Sequence, residues 1–170
     1  MMRILQRCGL VALVLAGCVG CDQLSKSLAR EYLAGTGIHS YLGDVFRLEF
    51  ALNQGAFLSL GDSLSPAARY DSFTIAVSAL VIALLAWALL SGHLGWLQRV
   101  ALACVGGAGL SNVIDRIRFD GAVTDFLNFG LGPIRTGIFN VADAILMVGV
   151  IVLLKTWSPK LPAPPTRHED

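Results

Sequence analysis

The chain has 170 residues, of which 55% are hydrophobic and 15% charged, and its formal net charge is +1. A typical soluble domain is roughly 25% charged, so this composition excludes an ordinary soluble domain and indicates a membrane protein. A net charge so close to zero gives no indication of a nucleic-acid partner. The four cysteines all lie in apolar runs, which argues against a disulfide framework.

The N-terminus has the pattern of a secretion signal. Arg3 and Arg7 precede a short apolar stretch, and Leu15-Ala-Gly-Cys18 follows with the small residues of a lipobox. One interpretation is therefore a lipoprotein anchored at Cys18, which predicts that a soluble domain follows.

Further apolar segments follow instead, and a soluble domain does not explain them. A bilayer core needs about 20 residues of helix. Residues 73–92 contain no charged side chain, and residues 136–154 contain only Asp143. Another apolar segment follows Trp96 and Arg99, which suit the membrane interface, and the first segment is long enough when Arg7 snorkels. The sequence predicts a mostly α membrane protein with four transmembrane helices, near residues 4–24, 72–92, 96–114 and 137–157.

Two longer connections, residues 25–71 and 115–136, are predicted to share one side of the membrane. Basic residues are concentrated at the other side, so the positive-inside rule predicts cytoplasmic termini and periplasmic loops. Phe46 to Phe50 alternates apolar and polar side chains, which predicts a strand of a small periplasmic β-sheet. Ser63 to Tyr70 is predicted to form a short periplasmic helix.

The length of the chain is sufficient for one domain. We therefore interpret residues 1–157 as a single four-helix transmembrane domain. The polar, proline-rich residues 158–170 are predicted to be a disordered cytoplasmic tail.

Asp143 is the most informative residue, because a carboxylate inside a span costs roughly 2.5–3.5 kcal/mol and marks a candidate functional site. It follows Thr136 by seven residues, which places it about 10 Å into the predicted helix, with Asn140 on the same face. Asp125 lies amid apolar residues between the third and fourth spans. The chain can turn back between the two aspartates, so they are expected to meet at the outer rim.

Two neighbouring carboxylates can share one proton, because both cannot ionise easily. One can then draw a proton from water while the other donates to a substrate carbonyl, which is aspartic-protease chemistry. The sequence has neither H-E-x-x-H nor G-x-S-x-G, and its histidines are scattered, so neither a metal nor another cofactor is predicted.

Two other interpretations are open at this point. Asp143 could be a structural polar contact between helices. It could also relay protons in a small transporter or channel. A third interpretation, another kind of intramembrane aspartic protease, is set aside: Tyr70-Asp71 matches part of the presenilin pattern, but no G-x-G-D partner follows.

Five short motifs resemble those of the lipoprotein signal peptidases, also called signal peptidase II, in the same order and over nearly the whole chain. They are Asp22-Gln-Leu-Ser-Lys26, Asn53-Gln-Gly-Ala56, Asn112-Val-Ile-Asp-Arg116, Val123-Thr-Asp125-Phe and Phe139-Asn-Val-Ala-Asp143. Two departures are visible: Ser111 stands where many members have glycine, and Phe57-Leu58 where many have Ala-Phe. The first is expected to alter helix packing, and the second to alter apolar contacts of the loop.

The resemblance implies that Asp125 and Asp143 are the catalytic dyad of an aspartic endopeptidase. It also implies that six further residues bind substrate or support the site: Asp22, Lys26, Asn53, Asn112, Arg116 and Asn140. We add Gly55 and Asp115 to this group, because they lie within the same motifs. The implied protein is a multi-pass enzyme of the bacterial inner membrane, active near the periplasmic face. It would remove signal peptides from diacylglyceryl-modified prolipoproteins, on the amino side of the lipidated cysteine. Its expected partners are these substrates and membrane lipids, and it is expected to be a monomer.

Overall fold

The computed structural model describes residues 3–54 and 66–157, with no side-chain description for residues 66–73. Within these residues the chain forms helices and strands in the order α1 Ile4–Tyr32, β1 His39–Tyr41, β2 Phe46–Asn53, α2 Pro66–Leu90, α3 Trp96–Arg118, β3 Val123–Leu131, β4 Ile134–Arg135 and α4 Val141–Thr156. The prediction of a mostly helical protein with a small sheet is confirmed. Gly55 and the tail of residues 158–170 lie outside the described residues.

The helix ends differ from those predicted from hydropathy. Helix α1 continues eight residues beyond the predicted end at Leu24, to Tyr32. The residues after Leu24 mix polar and apolar side chains and contain no glycine or proline before Gly35, so nothing in them ends a helix. Helix α2 begins at Pro66, so the described part of the predicted short helix is continuous with the second long helix. The hydropathy of a segment indicates which part of a helix can lie in lipid. The helix itself can continue beyond that part.

Length and apolar composition together mark α1 and α3, among the described helices, as able to cross a membrane. In α2 the apolar part is shorter, Thr74–Leu90. Helix α4 has 16 residues, which at 1.5 Å per residue is about 24 Å. Each of the four helices has large hydrophobic side chains that are exposed, for example Leu13, Ile82, Trp96 and Met147.

Helix α3 lies at the centre of the helical bundle and packs against the other three helices. Its glycines permit this close packing: a Cβ at Gly107 would lie 2.9 Å from Cβ of Cys18 in α1, and one at Gly109 would lie 2.6 Å from Val81 in α2. Small residues at helix contacts are typical of membrane proteins, because they allow close backbone approach. The centre of the bundle therefore depends on small residues of α3.

The sheet covers one end of the bundle. Its strands are antiparallel in the order β1-β2-β3-β4. Strand β2 contains the predicted Phe46–Phe50 strand, whereas β3, within the second long connection, was not predicted. The β1–β2 turn is held by Asp44, whose carboxylate accepts hydrogen bonds from Ser40 and Arg47. These hydrogen bonds hold the pKa of Asp44 well below its usual range.

Candidate active site

The two aspartates implied by the motifs lie on different elements at the end of the bundle that the sheet covers. Asp125 is in the middle of β3 and is 2% exposed. Asp143 is in the first turn of α4 and is partly buried. Asn140 contacts both: its Nδ2 donates to Asp125 Oδ1 at 2.6 Å, and its backbone N–H donates to Asp143 Oδ2 at 3.1 Å. One asparagine therefore holds the two carboxylates as neighbours.

Helix α4 begins later than predicted, and this changes the position of Asp143. Asn140 is the N-cap of the helix, and its Oδ1 accepts a hydrogen bond from the Asp143 N–H at 3.0 Å. Asparagine is among the best N-cap residues, because its side chain satisfies an N–H that has no partner within the helix. The expected depth of about 10 Å is thus wrong. Asp143 lies only three residues into α4, about 4.5 Å from its start.

The pairing of β2 with β3 provides the second partner of Asp125. Asn53 pairs with Val123 and Ala51 with Asp125, so Asn53 and Asp125 are diagonal neighbours on one face of the sheet. The amide Nδ2 of Asn53 donates to Asp125 Oδ2 at 2.9 Å. Burial, together with the charge of Asp143, nevertheless raises the pKa of Asp125 to about 6. The carboxyl group of Asp125 therefore takes up a proton far more readily than an ordinary aspartate.

Asn112 of α3 holds the other carboxylate. Its Nδ2 donates to Asp143 Oδ1 at 3.1 Å. Its Oδ1 accepts from Lys26 Nζ at 2.7 Å and from Asn140 Nδ2 at 3.3 Å. Since both of these partners are donors, the amide of Asn112 has only one favourable orientation, with its NH₂ toward Asp143. Lys26 thus acts on the aspartate pair through Asn112.

Lys26 belongs to a fully buried cluster of charges beside the aspartate pair. Its ammonium lies 2.7 Å from Asp22 Oδ2 and 3.3 Å from Asp115 Oδ2, and all three side chains are 0% exposed. Asp22 also accepts from the Ala142 N–H at 2.7 Å, and Asp115 from the Thr124 N–H at 2.9 Å. The cluster therefore joins α1 and α3 to the first turn of α4 and to β3, which are the elements that carry the two aspartates.

Arg116 is a second cation near the aspartates. It is 9% exposed, and its Nη1 is 3.4 Å from the carbonyl oxygen of Asn112 in the preceding turn. Its charge interacts favourably with Asp143, Asp125 and Asp115. A guanidinium in this position can bind the carbonyl or another polar group of a peptide close to the aspartate pair.

No group of three or more His, Cys, Asp or Glu side chains suitable for a metal ion occurs in the described part of the chain. Asp125 and Asp143 form a pair of neighbouring carboxylates. The pair is oriented by the amides of Asn53, Asn112 and Asn140.

Known proteins resemble this chain over the residues that form the site. The family model of signal peptidase II matches residues 12–158, which include all five motifs. The chain belongs to the signal peptidase II family. Its sequence is 31% identical over 140 residues to the lipoprotein signal peptidase of Caldanaerobacter subterraneus, covering 82% of this chain and 90% of that protein. It is 34% identical over 130 residues to that of Treponema denticola, covering 74% and 75%.

Two solved structures share the fold of this chain. A bacterial membrane enzyme determined by the in meso method superposes with a TM-score of 0.73 at 26% identity, covering 92% of this chain and 94% of that one. A second such structure superposes with a TM-score of 0.75 at 22% identity and shows the same fold.

Sequence reasoning missed several residues that form hydrogen bonds around the buried charge cluster and β3. The Ser111 hydroxyl donates to Asp22 Oδ2 at 2.7 Å, so the departure from glycine adds a hydrogen bond as well as a side chain. Gln23 donates to Asp115 Oδ1 at 2.8 Å and to Ser111 Oγ at 3.0 Å. Gln23 lies inside the first motif, which was the available signal. Thr124, whose hydroxyl accepts from Arg30 at 2.9 Å, lies inside the motif around Asp125, which was again the available signal.

Proposed function

We propose that the chain is a membrane aspartic endopeptidase that removes signal peptides from diacylglyceryl-modified prolipoproteins. Cleavage would occur on the amino side of the lipidated cysteine. The observation that carries the proposal is the contact of Asn140 with both Asp125 and Asp143, since it places two carboxylates side by side in a largely buried site. Membership in the signal peptidase II family and relatives named lipoprotein signal peptidases support the choice of substrate.

In the proposed mechanism the two carboxylates share one proton. The raised pKa of Asp125, about 6, supports a pair that takes up one shared proton as the pH falls to about 6. The ionised carboxylate takes a proton from water as the water oxygen attacks the scissile carbonyl carbon, and the protonated carboxyl group donates its proton to the carbonyl oxygen. Collapse of the tetrahedral intermediate breaks the C–N bond. The carboxyl group that gained a proton from water gives it to the amine nitrogen, and a hydroxyl proton of the intermediate returns to the other carboxylate. No metal takes part in these steps.

The side chains around the pair have distinct proposed roles. Asn53 and Arg116, on the sheet and on α3, would bind the substrate peptide beside the aspartates. Asp22, Lys26 and Asp115 support the site and do not line it, because their side chains are 0% exposed and cannot touch a substrate. Asn112 and Asn140 orient the two carboxylates.

The proposed setting is the bacterial inner membrane, with residues 1–157 as one domain that acts as a monomer. All four helices would cross the membrane, which would place α1 and α3 antiparallel to α2 and α4. Arg3, Arg7, Arg99 and Lys155 lie at the end away from the aspartates, which supports cytoplasmic termini and a periplasmic active site. Residues 158–170 would be a cytoplasmic tail.

The test is cleavage of a purified diacylglyceryl-modified prolipoprotein by the purified chain and by its Asp125→Asn and Asp143→Asn variants. Each substitution should abolish turnover, and the double variant should be no worse than either single one, because both aspartates serve the same step. Asp120→Asn is the matched control. Asp120 is exposed near β3 and has φ 49°, a conformation that asparagine tolerates well, so this variant should cleave normally.

The proposed role of the pair is wrong if either Asp125→Asn or Asp143→Asn keeps near-normal turnover. Substrate binding by the inactive variants, measured by co-purification, separates loss of chemistry from loss of the fold. If the chain and both variants are folded but none cleaves the prolipoprotein, the proposed substrate is wrong.

A further inference from the structure

Two different side chains cap the first turn of helix α4, which carries Asp143. The N-cap residue Asn140 accepts a hydrogen bond from the Asp143 N–H. The Ala142 N–H is bound by another helix, because it donates to Asp22 Oδ1 of α1 at 2.7 Å. The first N–H groups of a helix have no partner within that helix, so Asp22 acts as a second cap of α4. Its negative charge lies at the positive end of the helix dipole, which strengthens the contact.

The orientation of the Asp22 carboxylate depends on Ser111 of α3. The Ser111 hydroxyl donates to Asp22 Oδ2 at 2.7 Å, and Lys26 Nζ lies 2.7 Å from the same oxygen. These two donors hold Oδ2, which leaves Oδ1 directed at the Ala142 N–H. Lys26 is in the same helix as Asp22. Ser111 therefore fixes this carboxylate relative to α3.

Gln23 determines the direction of the hydrogen bond that Ser111 makes. Its Nε2 donates to Ser111 Oγ at 3.0 Å, and its Oε1 accepts from Arg118 Nη1 at 3.3 Å. A guanidinium can only donate, so the amide of Gln23 has its oxygen toward Arg118 and its NH₂ toward Ser111. The Ser111 oxygen accepts from Gln23, and its proton points to Asp22. Successive hydrogen bonds of this kind polarise and strengthen one another.

Burial excludes a direct contact between the Ser111 hydroxyl and a substrate. Ser111 and Asp22 are both 0% exposed, so they can influence the reaction only through the residues that they hold. Ser111 stands where many members of the family have glycine, which has no hydroxyl. The hydrogen bond to Asp22 is therefore a feature of this chain and not of the shared motif.

We propose that Ser111 is a positioning residue: it orients the Asp22 carboxylate, which caps α4 and so holds Asp143 in the aspartate pair. The effect on turnover rests on the proposed function. The effect on the contact between Asp22 and the Ala142 N–H does not, because it requires no substrate.

Ser111→Ala tests the proposal, because it removes only the hydroxyl. Asp22 Oδ2 keeps Lys26 as a donor, so the variant should fold. Hydrogen–deuterium exchange of the full chain in detergent should be roughly fivefold faster at the Ala142 amide, because hydrogen bonds to charged groups are among the stronger ones. The value of kcat should fall by a similar factor while KM is unchanged, because Ser111 does not contact the substrate.

Ser25→Ala is the matched control. The Ser25 hydroxyl donates to the backbone carbonyl oxygen of Asp22 at 2.8 Å, so it contacts the same residue but not its carboxylate. This variant should leave both exchange and turnover unchanged. In an Asp22→Ala background, Ser111→Ala should accelerate the exchange of Ala142 no further, because Ser111 acts through Asp22.

Unchanged exchange of the Ala142 amide in Ser111→Ala would overturn the proposal. So would unchanged kcat in a chain that cleaves, a rise in KM alone, or an equal effect of Ser25→Ala. If Asp22→Ala does not fold, the comparison of Ser111→Ala with Ser25→Ala decides by itself. If the natural chain does not cleave the prolipoprotein, the proposed function is wrong, and exchange alone decides whether Ser111 positions α4.

Discussion

At the scale of a single residue, the surroundings of Asp125 have opposite effects on its pKa. Burial and the neighbouring Asp143 raise its pKa to about 6, whereas hydrogen bonds from the Asn53 and Asn140 amides favour the ionised form. The pKa remains raised because burial outweighs the two hydrogen bonds. The residue is thus set up to exchange a proton near neutral pH, which is the property that the proposed mechanism needs.

The raised pKa of Asp125 predicts how stability changes with pH. An aspartate with a raised pKa in the folded state contributes stability that is fully present below its ordinary pKa and is lost as pH rises through the folded value. The change from 3.8 to about 6 corresponds to roughly 3 kcal/mol. The stability of the natural chain relative to Asp125→Asn should therefore fall by about this amount from about pH 4 to about pH 7.

Thermal unfolding in detergent, repeated across that pH range, measures this difference. The amide that Asp125→Asn introduces can accept only one of the two hydrogen bonds, but this loss does not depend on pH and so does not alter the slope. Parallel stability curves for the two proteins would show that the pKa of Asp125 is not raised.

Asn140 combines two functions that substitution can separate. Serine is a comparable N-cap, so Asn140→Ser should preserve helix α4 to within a few tenths of a kcal/mol. It has no amide to donate to Asp125, and turnover should fall on the order of 100-fold, as for other preorganised hydrogen-bond donors. Asn140→Ala loses both functions and should also lose about 1 kcal/mol of stability. Near-normal turnover by Asn140→Ser would mean that the Asn140–Asp125 contact is not needed for catalysis.

Contacts between elements set the position of α4, which carries Asp143. A Cβ at Gly149 would lie 2.8 Å from Val105 and 3.2 Å from the carbonyl oxygen of Ala101, both in α3. The backbone of α3 cannot move away as a flexible side chain can. The α3–α4 contact at Gly149 therefore leaves no room for a larger residue.

Gly149→Leu should accordingly destabilise the protein by about 1–3 kcal/mol, as other overpacked contacts do. Activity should fall as well, because displacement of α4 moves Asp143 away from Asn112. Gly17→Leu is the control, since a Cβ at Gly17 in α1 meets nothing within 4 Å. Thermal unfolding and turnover of both variants provide the comparison, and equal behaviour of the two variants would contradict the packing explanation.

For the whole molecule, the arrangement of helices and sheet places the aspartate pair at one end of an apolar bundle. Asp143 lies in the first turn of α4, and the remainder of that helix, as far as Lys155, is uncharged. Under the proposed topology the pair lies where a peptide passes from the membrane to water. A substrate anchored in the bilayer would present its scissile bond at that depth.

This location predicts a strong preference for lipidated substrate. Each CH₂ of a buried acyl chain contributes about 0.8 kcal/mol to membrane retention, so two acyl chains hold the peptide more firmly than any one side-chain contact. The value of kcat/KM should be much higher for a diacylglyceryl-modified peptide than for the same peptide with an unmodified cysteine. Equal values would show that depth in the membrane does not select the substrate.

The sequence by itself determined the helical class, one strand of the sheet and the identity of the two central aspartates. Apolar length and alternation are local patterns, and they report directly on burial in lipid or against a core. The motifs around Asp125 and Asp143 are also local, because the residues on either side of each aspartate carry the resemblance.

Only the tertiary structure decided which groups contact the aspartates. Asn53 reaches Asp125 through the pairing of β2 with β3, and Lys26 reaches Asp143 through Asn112 of another helix. Both are contacts between segments far apart in the chain, so the pattern of neighbouring residues does not reveal which partners meet. The start of α4 was misjudged because hydropathy ignores capping. The hydrogen bond of Asn140 to the Asp143 N–H, and not the length of the apolar run, sets where that helix begins.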